Sequence, residues 1–255
     1  VPFTVSHAVV ALGVRRLPLP VAAVAVGSMA PDAVLFAPFL PPYDAAHSWW
    51  GVLTIDLAVS LVVLAVWWFL VRPAWTPVAP AARRRLPAAW HRRPTLTFRD
   101  VVPVLVGCVL GSVTHVVWDG FTHESGFVVR AWPALRDATV GTYPLPFLLQ
   151  DASSVLGLLA LLVAAVVWWR RAEARAVRPL GRVEVAVPVV ALVGVVGAAL
   201  VVGVRVVLAG GGATDVVTAL AFRVPALVAV ALVAGAVVLL AYRGWTGRGT
   251  EREAR

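Results

Sequence analysis

Lysine is missing from this chain: all 22 basic residues are arginine. Cysteine and methionine occur once each. The single Cys108 excludes an internal disulfide, and without a second thiolate it excludes a cysteine-built structural zinc site. It falls in an apolar run, where it acts as a small hydrophobe. Charge is scarce, with 14% charged residues and only 13 carboxylates among 255 positions. A chain with so few charges cannot clothe a water-soluble bundle of this size. No repeat recurs at a solenoid or propeller period, which removes those architectures.

What is present is apolar. Hydrophobic residues make up 60% of the chain, in long runs of Val, Ala and Leu, the composition of a polytopic helical membrane protein. Together with the missing lysine, the Ala/Val/Gly/Pro bias points to a GC-rich bacterial genome. The first 30 residues lack, in order, a basic start, an apolar core and a small-residue cleavage site. No cleavable signal peptide is therefore expected.

A formal charge of +9 is compatible with nucleic-acid binding, but its distribution argues against that. Seven arginines lie in 72–99, five in 170–182 and four from Arg243 onward, whereas 121–150 and 206–222 are poor in arginine. Such alternation is the positive-inside pattern of a bacterial plasma-membrane protein, with those three basic segments cytoplasmic. No base-stacking or groove-reading element accompanies them. The expected partners are membrane lipids, with no nucleic acid.

Five segments read as full spans: Trp49–Val71, Val101–Phe121, Ser153–Trp169, Val185–Val204 and Val224–Tyr242. Each is long enough to cross about 30 Å of hydrocarbon at 1.5 Å per residue. Trp49, Trp50, Trp67, Trp68, Trp168 and Trp169 stand near span ends as interface anchors. The stretch from Pro73 to Pro94 reads as a loop with little packing. Gly210-Gly211-Gly212 reads as a flexible external turn. Near the N-terminus, Ser6–Val14 and Val21–Ala30 are each too short to cross alone. Either the two form a hairpin tipped by Arg15-Arg16, the favoured reading, or Leu17–Leu40 is a single span with an internal Pro31-Asp32 break and a cytoplasmic N-terminus. The expected fold is an all-α transmembrane bundle of five spans plus an N-terminal pair of short helices. Residues 1–170 would carry the polar site, and 171–255 two further spans and a basic tail.

The most informative stripe is Gly107, Gly111, His115, Asp119 and His123, spaced four apart. That spacing puts all five on one slowly drifting face of a helix. A mid-membrane Asp alone costs on the order of 2.5–3.5 kcal/mol, and ionisable groups kept inside a bundle are functional-site candidates. The alternative is an interhelical hydrogen-bonded pair that only fixes packing. His7, His47, Asp32 and Asp56 are the other groups that can join them. Imidazole and carboxylate together suit Zn²⁺ or another borderline divalent cation. Asp56 stands about 180° round a continuous helix from His47 and is expected to pair with Arg or a supporting His. Asp32 after Pro31 and Asp151 before Ser153-Ser154 also read as helix caps. His91 reads as a solvated loop residue.

Several motifs occur together: Pro2-Phe3-Thr4-Val5-Ser6-His7, Gly27-Ser28-Met29-Ala30-Pro31-Asp32, His47-Ser48, Thr114 to His123, Leu149-Gln150 and Ser153 to Gly157. As a set they resemble an uncharacterised bacterial membrane family, domain of unknown function 4184, from the N-terminus to about residue 170. More distantly, the order His, Pro-Asp, His-Ser, His-x3-Asp looks like that of a group of inner-membrane metal-dependent hydrolases. That likeness implies His7, Asp32, His47, His115 and Asp119 as ligand positions. Those hydrolases carry a longer His-Arg-Gly-x-Thr-His-Ser stretch where this chain has only Ala46-His47-Ser48. The function expected is a metal-dependent hydrolase, zinc being the leading cation, acting on a lipid-like ester or phosphoester. Asp119 and His123 are the expected catalytic groups. A non-enzymatic membrane protein, either an ion or metal permease or a structural envelope partner, is the competing expectation.

Overall fold

A computed structural model describes residues 4–79 and 82–253, with side chains followed to Thr246 in the last helix. Seven apolar helical stretches organise the described residues. Two are short, α1 (Thr4–Gly13) and α2 (Val21–Phe36). Five are long and apolar enough to span a membrane: α3 (Trp49–Trp75), α4 (Phe98–Thr122), α5 (Leu145–Arg171), α6 (Arg182–Leu208) and α7 (Ala213–Thr246). The only sheet among the described residues is a two-residue hairpin, Thr139–Val140 with Tyr143–Pro144. Its turn uses Gly141 at φ 63°, a conformation that favours glycine.

The chain forms two compact units, Val1–Leu64 with Leu96–Arg171, and Ala65–Thr95 with Ala172–Arg255. In the first, α1 and α2 are short helices joined by an exposed turn at Arg15 and Arg16. Ala11, Val14 and Val24 are buried together there, with Leu110 of α4 packed against them. The contact between α2 and α4 is built on glycine. A Cβ at Gly111 would run into the Val24 carbonyl and the Ser28 backbone nitrogen, and one at Gly27 into the Cys108 backbone. These two helices therefore meet backbone to backbone, as small residues permit between membrane helices. Ser112 of α4 seals the crossing by donating to the Gly27 carbonyl at 3.0 Å.

A capping box of Thr97 and Asp100 starts α4. The helix passes through Gly120, whose missing side chain makes room for the Phe127 ring, and stops at Thr122. His123 is already extended, with φ −108° and ψ 142°. Its carbonyl accepts from Gly126, which turns the chain back against the Gly120 backbone.

In the second unit, Ala74, Val78, Ala236 and Leu239 are buried together. The Trp75 indole donates to the Leu232 carbonyl at 2.8 Å and lies over Gly235. Buried Glu184 accepts from Arg178 at 2.7 Å and from Arg243 at 3.2 Å. Arg243 also donates to the carbonyls of Pro73 and Ala74.

Four local expectations are corrected. The described residues between Pro73 and Pro94 are packed rather than loose: Ala74 and Val78 are core residues, and Thr76 donates to the Trp90 carbonyl at 3.0 Å. His91 is half-buried and bonded to Thr76 Oγ1 at 3.1 Å, so it is not simply solvated. Asp151 lies inside α5, which begins at Leu145, and accepts from the Tyr143 hydroxyl at 2.7 Å instead of capping a helix. Asp32 makes no cap hydrogen bond. The arginines beyond Thr246 lie outside the described side chains.

Candidate metal centre

Four separate segments of the first unit deliver the polar groups. The opening turns of α1 are a 3₁₀-helix, in which residues three apart eclipse, so Thr4 and His7 share a side. In α2, regular helix ends at Gly27, and a 3₁₀ turn from Ala30 to Asp32, with Pro31 in it, aims the Asp32 carboxylate inward. A short helix, Tyr43–Ala46, precedes α3, and His47 follows it directly. Because His47 lies before α3, it is free of that helix's angular spacing. On α4, His115 and Asp119 stand one turn apart.

Asp32, His47, His115 and Asp119 each offer one ligand atom, and these four atoms all lie within 4.8 Å of one another. His115 Nε2 is 3.2 Å from Asp119 Oδ2 and 3.6 Å from Asp32 Oδ1. His47 Nε2 is 3.5 Å from Asp119 Oδ2 and 3.7 Å from Asp32 Oδ1. A tetrahedron with bonds of 2.0–2.1 Å has ligand–ligand edges of about 3.3 Å. The four His–Asp spacings lie near that edge length, and all six pairs lie within 4.8 Å.

The tautomers agree with this fit. His115 Nδ1 faces the Ser28 carbonyl at 2.7 Å, and His47 Nδ1 faces the Tyr43 carbonyl at 3.0 Å. A carbonyl oxygen only accepts, so each Nδ1 carries a proton, and in a neutral ring the lone pair is then on Nε2. Backbone bonds of this kind orient metal-ligating histidines. Asp32 Oδ1, His47 Nε2, His115 Nε2 and Asp119 Oδ1 are all buried without a hydrogen-bond partner among the described residues. Buried polar atoms are normally satisfied. Asp32 Oδ1, His47 Nε2 and His115 Nε2 thus face a common centre with Asp119 Oδ2, which accepts from the Tyr43 hydroxyl at 3.4 Å, and the arrangement matches a cation site.

His7 borders this group. Its ring stacks on His115 with centroids 4.0 Å apart, and its Nε2 is 3.6 Å from Asp119 Oδ1. His123 stands just beyond α4, with Nδ1 3.6 Å from Asp119 Oδ2 and Nε2 3.1 Å from the Gln150 side-chain nitrogen. Only the Gln150 amide can donate in that contact if the His123 proton faces Asp119. Asp56 is fully buried in a π-helical stretch, Val52–Asp56. The expected pairing with arginine or a supporting histidine does not appear: neither Asp56 oxygen has a hydrogen-bond partner among the described residues.

The domain of unknown function 4184 family matches residues 1–242. The chain belongs to this family. No curated protein and no solved structure matches it. The match to this DUF4184 chain takes in every residue of the centre, all of α6, and α7 as far as Tyr242.

Sequence reasoning did not assign roles to the groups behind the ligands. Thr4 Oγ1 donates to Asp32 Oδ2 at 2.7 Å, leaving Oδ1 for the centre. The Tyr43 ring stacks on His47 at 3.7 Å, and its hydroxyl donates to Asp119 Oδ2 at 3.4 Å. Burial, and then the Asp119 charge, push the Tyr43 phenol up, which keeps it a donor. Both had a spacing signal: Thr4 is three residues from His7 in a 3₁₀ turn, and Tyr43 is four from His47.

Proposed function

We propose that this DUF4184 chain is a bacterial plasma-membrane metalloenzyme that hydrolyses an ester or phosphoester of a lipid-like substrate. The observation that carries the reading is the convergence of three unpartnered donor atoms, from Asp32, His47 and His115, with a carboxylate oxygen of Asp119. Divalent zinc, when bound by these residues, supplies Lewis acidity and brings the pKa of water toward neutrality.

The chain's own residues provide the rest. Ser28 and Tyr43 hold the two imidazoles by their Nδ1 protons, while Thr4 and Tyr43 orient the carboxylates. We assign proton transfer to His123 with Asp119. His123 is the most open imidazole of the site, with its side chain 22% exposed against 0% for His115, and it contacts the Asp119 carboxylate. Its Nε2 is held by Gln150, so its Nδ1 is the atom that exchanges a proton. The arginine-rich segments 72–99 and 170–182 and the basic tail are assigned to the cytoplasm.

The test is to purify the protein without chelator and measure bound metal, then assay soluble ester and phosphoester substrates, in wild type and Asp119→Ala. The expected result is metal and turnover in wild type and neither in the variant. Metal-free wild type overturns the reading. So does metal flux into proteoliposomes without hydrolysis, which would make the same residues a transit site.

A further inference from the structure

A groove of about 420 Å³ in the first unit lies between α1, α4 and α5. Val9, Val10 and Leu156 supply much of its apolar lining. α5 comes close to α1 because Gly157 has no side chain: a Cβ there would sit 2.9 Å from the Ser6 carbonyl oxygen. Trp118 and Leu156 on its wall are 41% and 65% exposed. Exposed surface on α4 and α5, which are long and apolar enough to span, meets acyl chains rather than water.

The lining is not wholly apolar. His7 is part of it, and the same imidazole stacks on His115 and approaches Asp119. His7 is thus a wall shared by the groove and the metal centre. Ser153 also lines the groove. It accepts from the Trp118 indole at 3.1 Å and donates to the carbonyl of Gln150, whose amide holds His123. An amphiphile is the ligand that matches an apolar groove bordered by a polar imidazole, and the volume is within the usual range for small-molecule sites.

We infer that the groove between α1, α4 and α5 takes one acyl chain of a bilayer lipid, entering sideways from the membrane and bringing the lipid's ester region to His7. This rests on the hydrolase reading and narrows its substrate to acyl lipids.

The experiment places the protein, purified without chelator, in phosphatidylcholine nanodiscs containing a phosphatidylglycerol with a diazirine on one acyl chain. After irradiation, the labelled peptides are mapped. The expected result is label concentrated on the groove residues of α1, α4 and α5 above other exposed span positions. Leu156→Trp, which fills the groove, lowers that label severalfold, and Thr114→Phe does the same from α4. Leu159→Trp, exposed on α5 outside the lining, leaves it unchanged. Label spread evenly over the spans overturns the inference, as does label that neither groove-filling variant reduces, or a second copy cross-linked across the groove. Metal analysis and cleavage of p-nitrophenyl acetate on the same samples separate the two ideas. A labelled groove without metal sinks only the enzyme; metal and cleavage with even labelling sink only the groove.

Discussion

His115 Nδ1 donates to the carbonyl of Ser28 across 2.7 Å, joining the middle of α4 to the point where regular helix ends in α2. Both residues are fully buried. The bond exists because Gly27 and Gly111 bring the two backbones together, so packing and ligand orientation share one cause. Enlarging a small residue in this contact therefore disturbs the centre as well as the core.

Gly111→Ala is expected to destabilise the protein by about 1–3 kcal/mol, the usual cost of overpacking, because the new methyl meets backbone that cannot rotate away. Gly194→Ala is the control: nothing lies within 4 Å of a Cβ there, and inside a helix the change should be neutral or stabilising by up to about 1 kcal/mol. Thermal unfolding in one detergent compares them. Equal melting temperatures would refute the close-packing account.

Asp119→Ala and His115→Ala should each abolish retained metal, since each removes one of four donors. Wild type is expected to hold about one zinc per chain. Elemental analysis after dialysis checks this, and metal retained at wild-type level in both variants would count against the centre.

Thr4→Val removes the hydroxyl that fixes Asp32 at 2.7 Å but leaves every ligand in place. Loss of such a supporting bond typically weakens metal binding by roughly 10–100-fold. Tyr43→Phe should cost less, because its bond to Asp119 is longer, at 3.4 Å. A competition titration against a chromophoric chelator measures both. A larger loss for Tyr43→Phe would reverse the assigned order.

In the second unit, Glu184→Ala leaves Arg243 without its carboxylate while Pro73 and Ala74 still hold it. We expect a loss of about 1–3 kcal/mol, below the figure for a wholly buried pair because the Arg178 side chain is 65% exposed. Glu184→Gln should recover part of it. Chemical denaturation followed by tryptophan fluorescence is the measurement, and no difference between alanine and wild type would refute the role.

The helical membrane architecture was legible because hydropathy states it directly, and the short N-terminal pair followed from runs too brief to cross. The His115–Asp119 face was legible because spacing on one helix is arithmetic. Segment ends were less visible: α5 starts at Leu145, well before Ser153, since the preceding hairpin, not a polar cap, decides where the helix begins. Contacts between segments were out of reach. That Ser28 and Tyr43 lend backbone carbonyls to the imidazoles depends on main-chain placement, which side-chain identities do not encode. His91 and the stretch after Pro73 were misread for a related reason. Arg- and Pro-rich composition resembles loop composition even where Thr76 and Trp90 hold the chain in place.

Asp32 precedes Asp119 along the chain, and this order matters for assembly. Within the N-terminal pair the Asp32 carboxylate has Thr4 as a partner, whereas His47 and His115 come from later segments. The centre is therefore complete only once α4 has packed against α2, so its formation reports the assembly of this half of the chain rather than the winding of any one helix.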